Sequence, residues 1–184
     1  MPTTATRLIT AAEFLAMPNP DDGLKYELFR GEIVTVSRPH LLHGFVQINI
    51  GILLGVFAKA NRLGRVYSES GVVTERDPDS VRGPDVFFYR SDRLPDMTGG
   101  YPETPPDVVV EVLSPSDRSG ETRAMVQEYI NAGVPLVWVV DPEAKTAMVY
   151  RGTMRGIELG EADTIDGGEA LPGFTCTVAD FFAD

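Results

Sequence analysis

Cysteine is nearly absent: Cys176 stands alone among 184 residues, so no internal disulfide can staple this chain. The fold must hold together by burial, and a lone thiol outside any recognisable histidine pattern is assigned no catalytic role. A reducing cytoplasm is the expected compartment. Residues 1–10 lack the apolar centre and small-residue cleavage site of a secretory leader, so no export signal is expected. Long hydrophobic runs are scarce too. The most membrane-like stretch, residues 45–58, carries Gln47 and Asn49 and reads as too short to span a bilayer, so no membrane partner is expected. No internal repeat or low-complexity tract divides the chain, and its length suits a single domain over residues 1–184.

Positive charge is the other shortage. Sixteen Lys and Arg face 27 Asp and Glu, a net charge of −11. Nucleic-acid affinity comes largely from cations, so this balance alone argues against that partner. The distribution qualifies the argument. Residues 1–93 hold 11 basic and 11 acidic side chains, while residues 94–184 hold 5 and 16 and carry the whole excess. Arg62, Arg65, Arg76, Arg82, Arg90 and Arg93 crowd one segment. They form either a face that a polyanion can approach or a set of scattered, solvated side chains.

What is present reads as alternating helices and strands. Thr10 before Ala11–Ala16, with Pro18 beyond, marks a short capped helix. A loop rich in Pro and Asp is expected at residues 19–23. Lys25–Phe29 and Glu32–Val36 around Arg30-Gly31 predict a tight hairpin. Residues 41–62 repeat Leu42, Phe45, Val46, Ile50, Leu53, Leu54, Phe57 and Ala58 at helical spacing, with Gly64 as a stop. Strands are predicted at 65–74, 85–89 and 107–113, a loop or flap at 90–106 and a helix at 118–132. An apolar strand at 135–140, two edge strands at 146–150 and 157–161, and a short terminal helix at 178–182 complete the pattern. Continuous apolar strands between helices indicate an α/β fold: a mixed β-sheet flanked by helices, with added β elements at both ends and a core at about residues 40–142.

Two acids interrupt strands that should be buried. Asp85 lies in Gly83-Pro84-Asp85-Val86-Phe87, and Glu111 in Val109-Val110-Glu111-Val112-Leu113. A buried carboxylate is costly unless it is paired, protonated or bound to a metal. Neighbouring strands would bring the two within reach of one hard cation, which can activate water and neutralise charge on a phosphate. Alternatively, Asp85 caps a turn and Glu111 pairs with an arginine.

The same residues carry a resemblance. Pro84-Asp85, followed 26 positions later (111 − 85) by Glu111, resembles the PD-(D/E)xK nuclease pattern. The wider text is similar to the bacterial "putative restriction endonuclease" or Uma-two family. It includes Tyr26-Glu27-Leu28-Phe29-Arg30-Gly31, Arg82-Gly83-Pro84-Asp85, Val110-Glu111-Val112-Leu113-Ser114-Pro115-Ser116-Asp117, Tyr129-Ile130-Asn131-Ala132-Gly133 and Trp138-Val139-Val140-Asp141-Pro142. This likeness implies a restriction-endonuclease-like core, hydrolysis of DNA phosphodiesters, and magnesium, with manganese as a substitute. Asp85, Glu111 and the Val112 carbonyl would be its ligands. The pattern's lysine would fall at Leu113. Relatives in this family place it on the following helix instead, where this chain has Met125. Methionine can neither orient nor deprotonate a water. Arg123 is the nearest cation on that helix, but two residues turn a helix through roughly 200°.

Other polar residues have two readings each. His43, near the start of the long helix, either holds a phosphate, a water or Glu111, or is satisfied within the helix's first turn. Gln47 shares its face one turn on. Glu69 is a third candidate acid or an exposed strand residue, Glu27 a hairpin residue, and Tyr129 and Trp138 core. The leading function is a magnesium-dependent endonuclease. A nuclease-fold protein that binds nucleic acid or protein without catalysis is the alternative. A hydrolase of smaller phosphate esters is a third reading. A homodimer through the long helix or terminal strands stands beside ordinary core packing.

Overall fold

A computed structural model describes residues 7–18, 24–36 and 40–184; the loop expected at 19–23 lies outside them. Helix α1 is Ala11–Ala16. Thr10 Oγ1 accepts the Glu13 N–H at 3.2 Å, and the Glu13 carboxylate accepts the Thr10 N–H at 2.9 Å, a reciprocal cap. Strands β1 (Lys25–Phe29) and β2 (Glu32–Val36) pair antiparallel. Arg30 and Gly31 have φ of 49° and 78°, the two positive values that a two-residue hairpin turn requires.

Helix α2, Leu41–Ala60, is the longest element. Val46, Ile50, Leu54 and Ala58 recur every fourth residue and are fully buried against the sheet. At 20 residues it is long and apolar enough to cross a membrane, by length and composition. That corrects the expectation that this stretch is too short. Its buried stripe, however, belongs to the core of the fold.

The single strand expected at 65–74 divides in two. Strand β3 (Gly64–Tyr67) and β4 (Val72–Glu75) belong to different sheets. The break falls at Glu69, whose φ of +54° no strand interior accommodates. Strand β5 (Ser80–Arg82) follows. Then come β6 (Val86–Arg90), β7 (Val108–Val112), α3 (Ser119–Asn131), β8 (Leu136–Asp141), β9 (Thr146–Tyr150) and β10 (Gly156–Leu159). Short strands β11 (Thr164–Asp166) and β12 (Thr175–Thr177) precede a terminal 3-10 turn, Val178–Phe182.

The main sheet has six strands in the order β10-β9-β8-β7-β6-β3; β7 and β8 are its parallel pair, joined through α3. Helix α2 and the terminal segment cover one face, where Trp138 packs on Phe174 and Phe181 at ring distances of 5.9 and 6.1 Å. Helix α3 covers the other through Val126 and Tyr129. A second, antiparallel sheet of four strands, β2-β1-β5-β4, stands beside it. The expected α/β class, with helices on a mixed sheet and extra β elements at both ends, is what the chain adopts.

Candidate functional site

Antiparallel strands place residues of constant index sum opposite each other. Val86 faces Val110 across β6 and β7, so extending the register by one position sets Asp85 against Glu111. Both acids line a pocket of about 590 Å³. Asp85 Oδ2 accepts the Val112 N–H at 2.7 Å and lies 3.1 Å from His43 Nε2. Glu111 takes a 2.5 Å hydrogen bond from the Tyr129 hydroxyl.

Burial holds the Glu111 carboxyl well above the ordinary carboxylate range, and the charge of Asp85 pushes it further; the Tyr129 hydroxyl opposes the shift without cancelling it. Burial works against the His43 imidazolium. The hydrogen bond and charge of Asp85, with Glu69 and Asp117 behind, nevertheless raise its pKa. Buried His43 Nδ1 has no hydrogen-bond partner among the described residues.

Two more side chains, Lys25 and Glu27, reach the pocket from elements distant in sequence, and Gln47 of α2 braces its acids from outside. Gln47 donates to the Asp85 carbonyl at 2.9 Å and to Glu69 at 3.0 Å. Lys25 of β1 pairs with Glu69 at 2.5 Å and lies 3.4 Å from the Gly83 carbonyl oxygen. Burial disfavours its charge, but the Glu69 hydrogen bond and the charges of Glu69, Glu27 and Asp85 raise its pKa overall. Lys25 therefore stays an ammonium. Glu27 accepts the Gly83 N–H at 2.9 Å and one nitrogen of Arg82 at 3.0 Å, and Arg82 also grips Glu128 of α3 at 2.7 Å. This ion network fixes the chain just before Asp85.

His43, Asp85, Glu111 and Val112 are thus brought together, as the sequence suggested. Arg123 is not: it is exposed on α3 and does not line the pocket, whereas Met125 does. Glu69, the third candidate acid marked by its interruption of β-prone text, lines the pocket; Lys25 in the pocket wall and Tyr129 behind Glu111 carry no such local signal. Burial pushes the Cys176 thiol up to about 12, consistent with no nucleophilic role.

No group of three or more His, Cys, Asp or Glu side chains is poised around one metal position among the described residues. The donor chemistry nevertheless fits a small oxygen-seeking cation. Two like-charged carboxylates are forced together, and Asp85 Oδ1 is engaged by no protein hydrogen bond among the described residues.

A mixed sheet with helices on both faces defines the chain as an α/β protein. It belongs to the Uma2 family, described as "Putative restriction endonuclease", whose model matches residues 11–179. It is similar to a crystal structure described as "a putative nuclease belonging to DUF820" from Anabaena variabilis. The TM-score is 0.79 at 21% identity, over 95% of this chain and 97% of that one. At that identity the likeness is one of fold. No curated protein matches the chain.

Proposed function

We propose that this protein is a metal-dependent endonuclease that hydrolyses DNA phosphodiesters with magnesium, manganese substituting. The observation that carries the reading is the forced proximity of Asp85 and Glu111, which burdens Glu111 with a charge it cannot hold alone. In this reading Asp85, Glu111 and the Val112 carbonyl hold the cation. When bound, the cation supplies Lewis acidity at the scissile phosphate and lowers the pKa of a coordinated water.

The remaining roles fall to the chain's own groups. His43 and the Val112 amide fix the Asp85 carboxylate by hydrogen bonds to one oxygen, leaving the other free to act as a ligand. Tyr129 orients Glu111. Lys25 provides the positive charge that Met125 lacks. As a persistent ammonium it stabilises charge on phosphate oxygens and does not accept a proton. Arg123, exposed on the far side of the helix, takes no part.

The test is cleavage of plasmid DNA in magnesium, beside Asp85→Ala and Glu111→Gln. Wild-type cleavage abolished in both variants is the expected outcome; cleavage indifferent to both would reject the assignment. A second reading rests on Met125: a nuclease-fold protein that binds DNA or protein without cutting it. Absence of cleavage over a wide range of divalent cations and substrates, with DNA binding retained, would favour that reading.

A further inference from the structure

Helix α2 is apolar on two opposite faces. Val46, Ile50, Leu54 and Ala58 sit on the sheet. About half a turn round the helix lie Leu41, Phe45, Ile48, Ile52 and Val56. Leu41 is 95% exposed, Ile48 58%, Ile52 54% and Val56 65%. Lys59 is the first Lys, Arg, Asp or Glu of the helix and His43 is buried, so eighteen consecutive positions, 41–58, offer no ion to water. A helix hydrophobic all round is normally covered all round.

We propose that the uncovered face of α2 is the homodimer interface, and that its occupant is α2 of a second copy of this chain. Three observations favour that occupant. The first is area. These side chains, with Leu42, leave on the order of 600 Å² of apolar surface, at the upper end of the ~300–600 Å² that the largest patch of a typical monomer reaches and approaching the ~800 Å² per partner of a standard interface.

The second is shape. Beside the Ile48–Ile52–Val56 ridge runs a groove of about 960 Å³, closed on its far side by edge strand β3. A two-fold contact needs one patch to carry both the projection and its complement, and this patch does: each copy's ridge enters the other's groove. Gly51 and Gly55 thin the helix beside that ridge. A Cβ at either would meet nothing within 4 Å, so the room is on the open side, available to a partner backbone.

The third is charge. The molecule's excess of −11 resides in residues 94–184, whereas the half containing α2 and β3 is neutral. The terminal segment, whose Phe181 and Ala183 carbonyls accept from Asn49 of α2, brings some of that acidity beside the helix, but the helix face itself brings no like charges together. Lys59 and Arg65 stand at the border of the groove, in the polar rim that such contacts have.

The experiment is sedimentation equilibrium of the full chain, with Ile52→Lys and Val56→Lys as separate variants. Both positions are exposed, so each variant is expected to keep the wild-type circular dichroism spectrum and a cooperative melt, which certify the fold, while losing the concentration-dependent part of the melting temperature. Wild type is expected at twice the 20.1 kDa chain mass, and each variant at the single-chain mass. An Ile52→Cys chain in a Cys176→Ser background is expected to form a disulfide-linked dimer under mild oxidation. A wild type that stays monomeric at ~100 µM, a concentration at which any Kd tighter than that would show, overturns the proposal. So does a dimer that persists undiminished in both lysine variants, because the contact then lies elsewhere. Flotation with phosphatidylcholine vesicles is run in parallel. A monomer that floats by this face would identify a bilayer surface as the occupant and refute self-association.

Discussion

Two side chains in the pocket make stability depend on pH in the same direction. Glu111 titrates above its unfolded value, so the folded state is penalised as pH rises from about 4.5 through the raised pKa. His43 also titrates above its unfolded value, so its contribution is complete below about 6.5 and is lost as pH climbs through the folded pKa. The melting temperature without divalent cation is therefore expected to fall between pH 5 and 8. Glu111→Gln should melt higher than wild type at pH 8 and lose that advantage near pH 4, as read by differential scanning calorimetry. A cation held by Asp85 and Glu111 offsets the penalty. At a hundredfold excess over Kd it adds about 2.7 kcal/mol, or roughly 5–10 °C for a chain of this size. Asp85→Ala should show no such rise. Lys25→Met is expected to slow cleavage by about tenfold or more, and Met125→Lys in that background to restore part of it, as followed by single-turnover kinetics. Asp85 and Glu111 were legible because a charge inside an apolar strand has few inexpensive explanations. Lys25 was not. It reaches Glu69 across 44 positions and Gly83 across 58, and no local pattern records a contact of that range.

Among the elements, the ion network of Glu27, Arg82 and Glu128 joins β1 and β5 of the smaller sheet to α3. Removing the cation leaves two half-buried carboxylates facing each other, so Arg82→Ala is expected to cost about 3–5 kcal/mol in urea denaturation. Leu54→Ala, in the buried stripe of α2, should cost about 2–5 kcal/mol by opening a cavity. Helix α2 and the β1–β2 hairpin were readable because period and turn chemistry agreed over their whole length. Strands β3 and β4 were merged because Val66, Tyr67, Val72 and Val73 are all strand formers. What separates them is the left-handed backbone at Glu69, a conformation that glutamate does not advertise. Strand β5 has three residues, too few for periodicity to register.

For the whole molecule, the arginine-rich segment does not form a free basic face. Arg76 binds Asp79 and Glu103, Arg82 binds Glu27 and Glu128, Arg90 binds Asp92, and Arg93 binds Asp107. Arg62 and Arg65 have no carboxylate partner among the described residues. Sequence counts charges but not their partners, so the cluster looked more available to a polyanion than it is. If DNA binds through Arg62 and Arg65 of this segment, its affinity is expected to fall with salt on a shallow slope, about −2 in log–log terms for those two cations. Calcium should be needed to detect binding without cleavage, as measured by fluorescence anisotropy. The lone indole offers a way to keep these effects apart. Trp138 is sealed between Phe174 and Phe181 on the sheet face away from Glu111. Its emission should shift to the red when the core opens and stay silent when a cation or an oligonucleotide enters the pocket. Intrinsic fluorescence thus separates loss of structure from loss of activity in every variant above, without an added label.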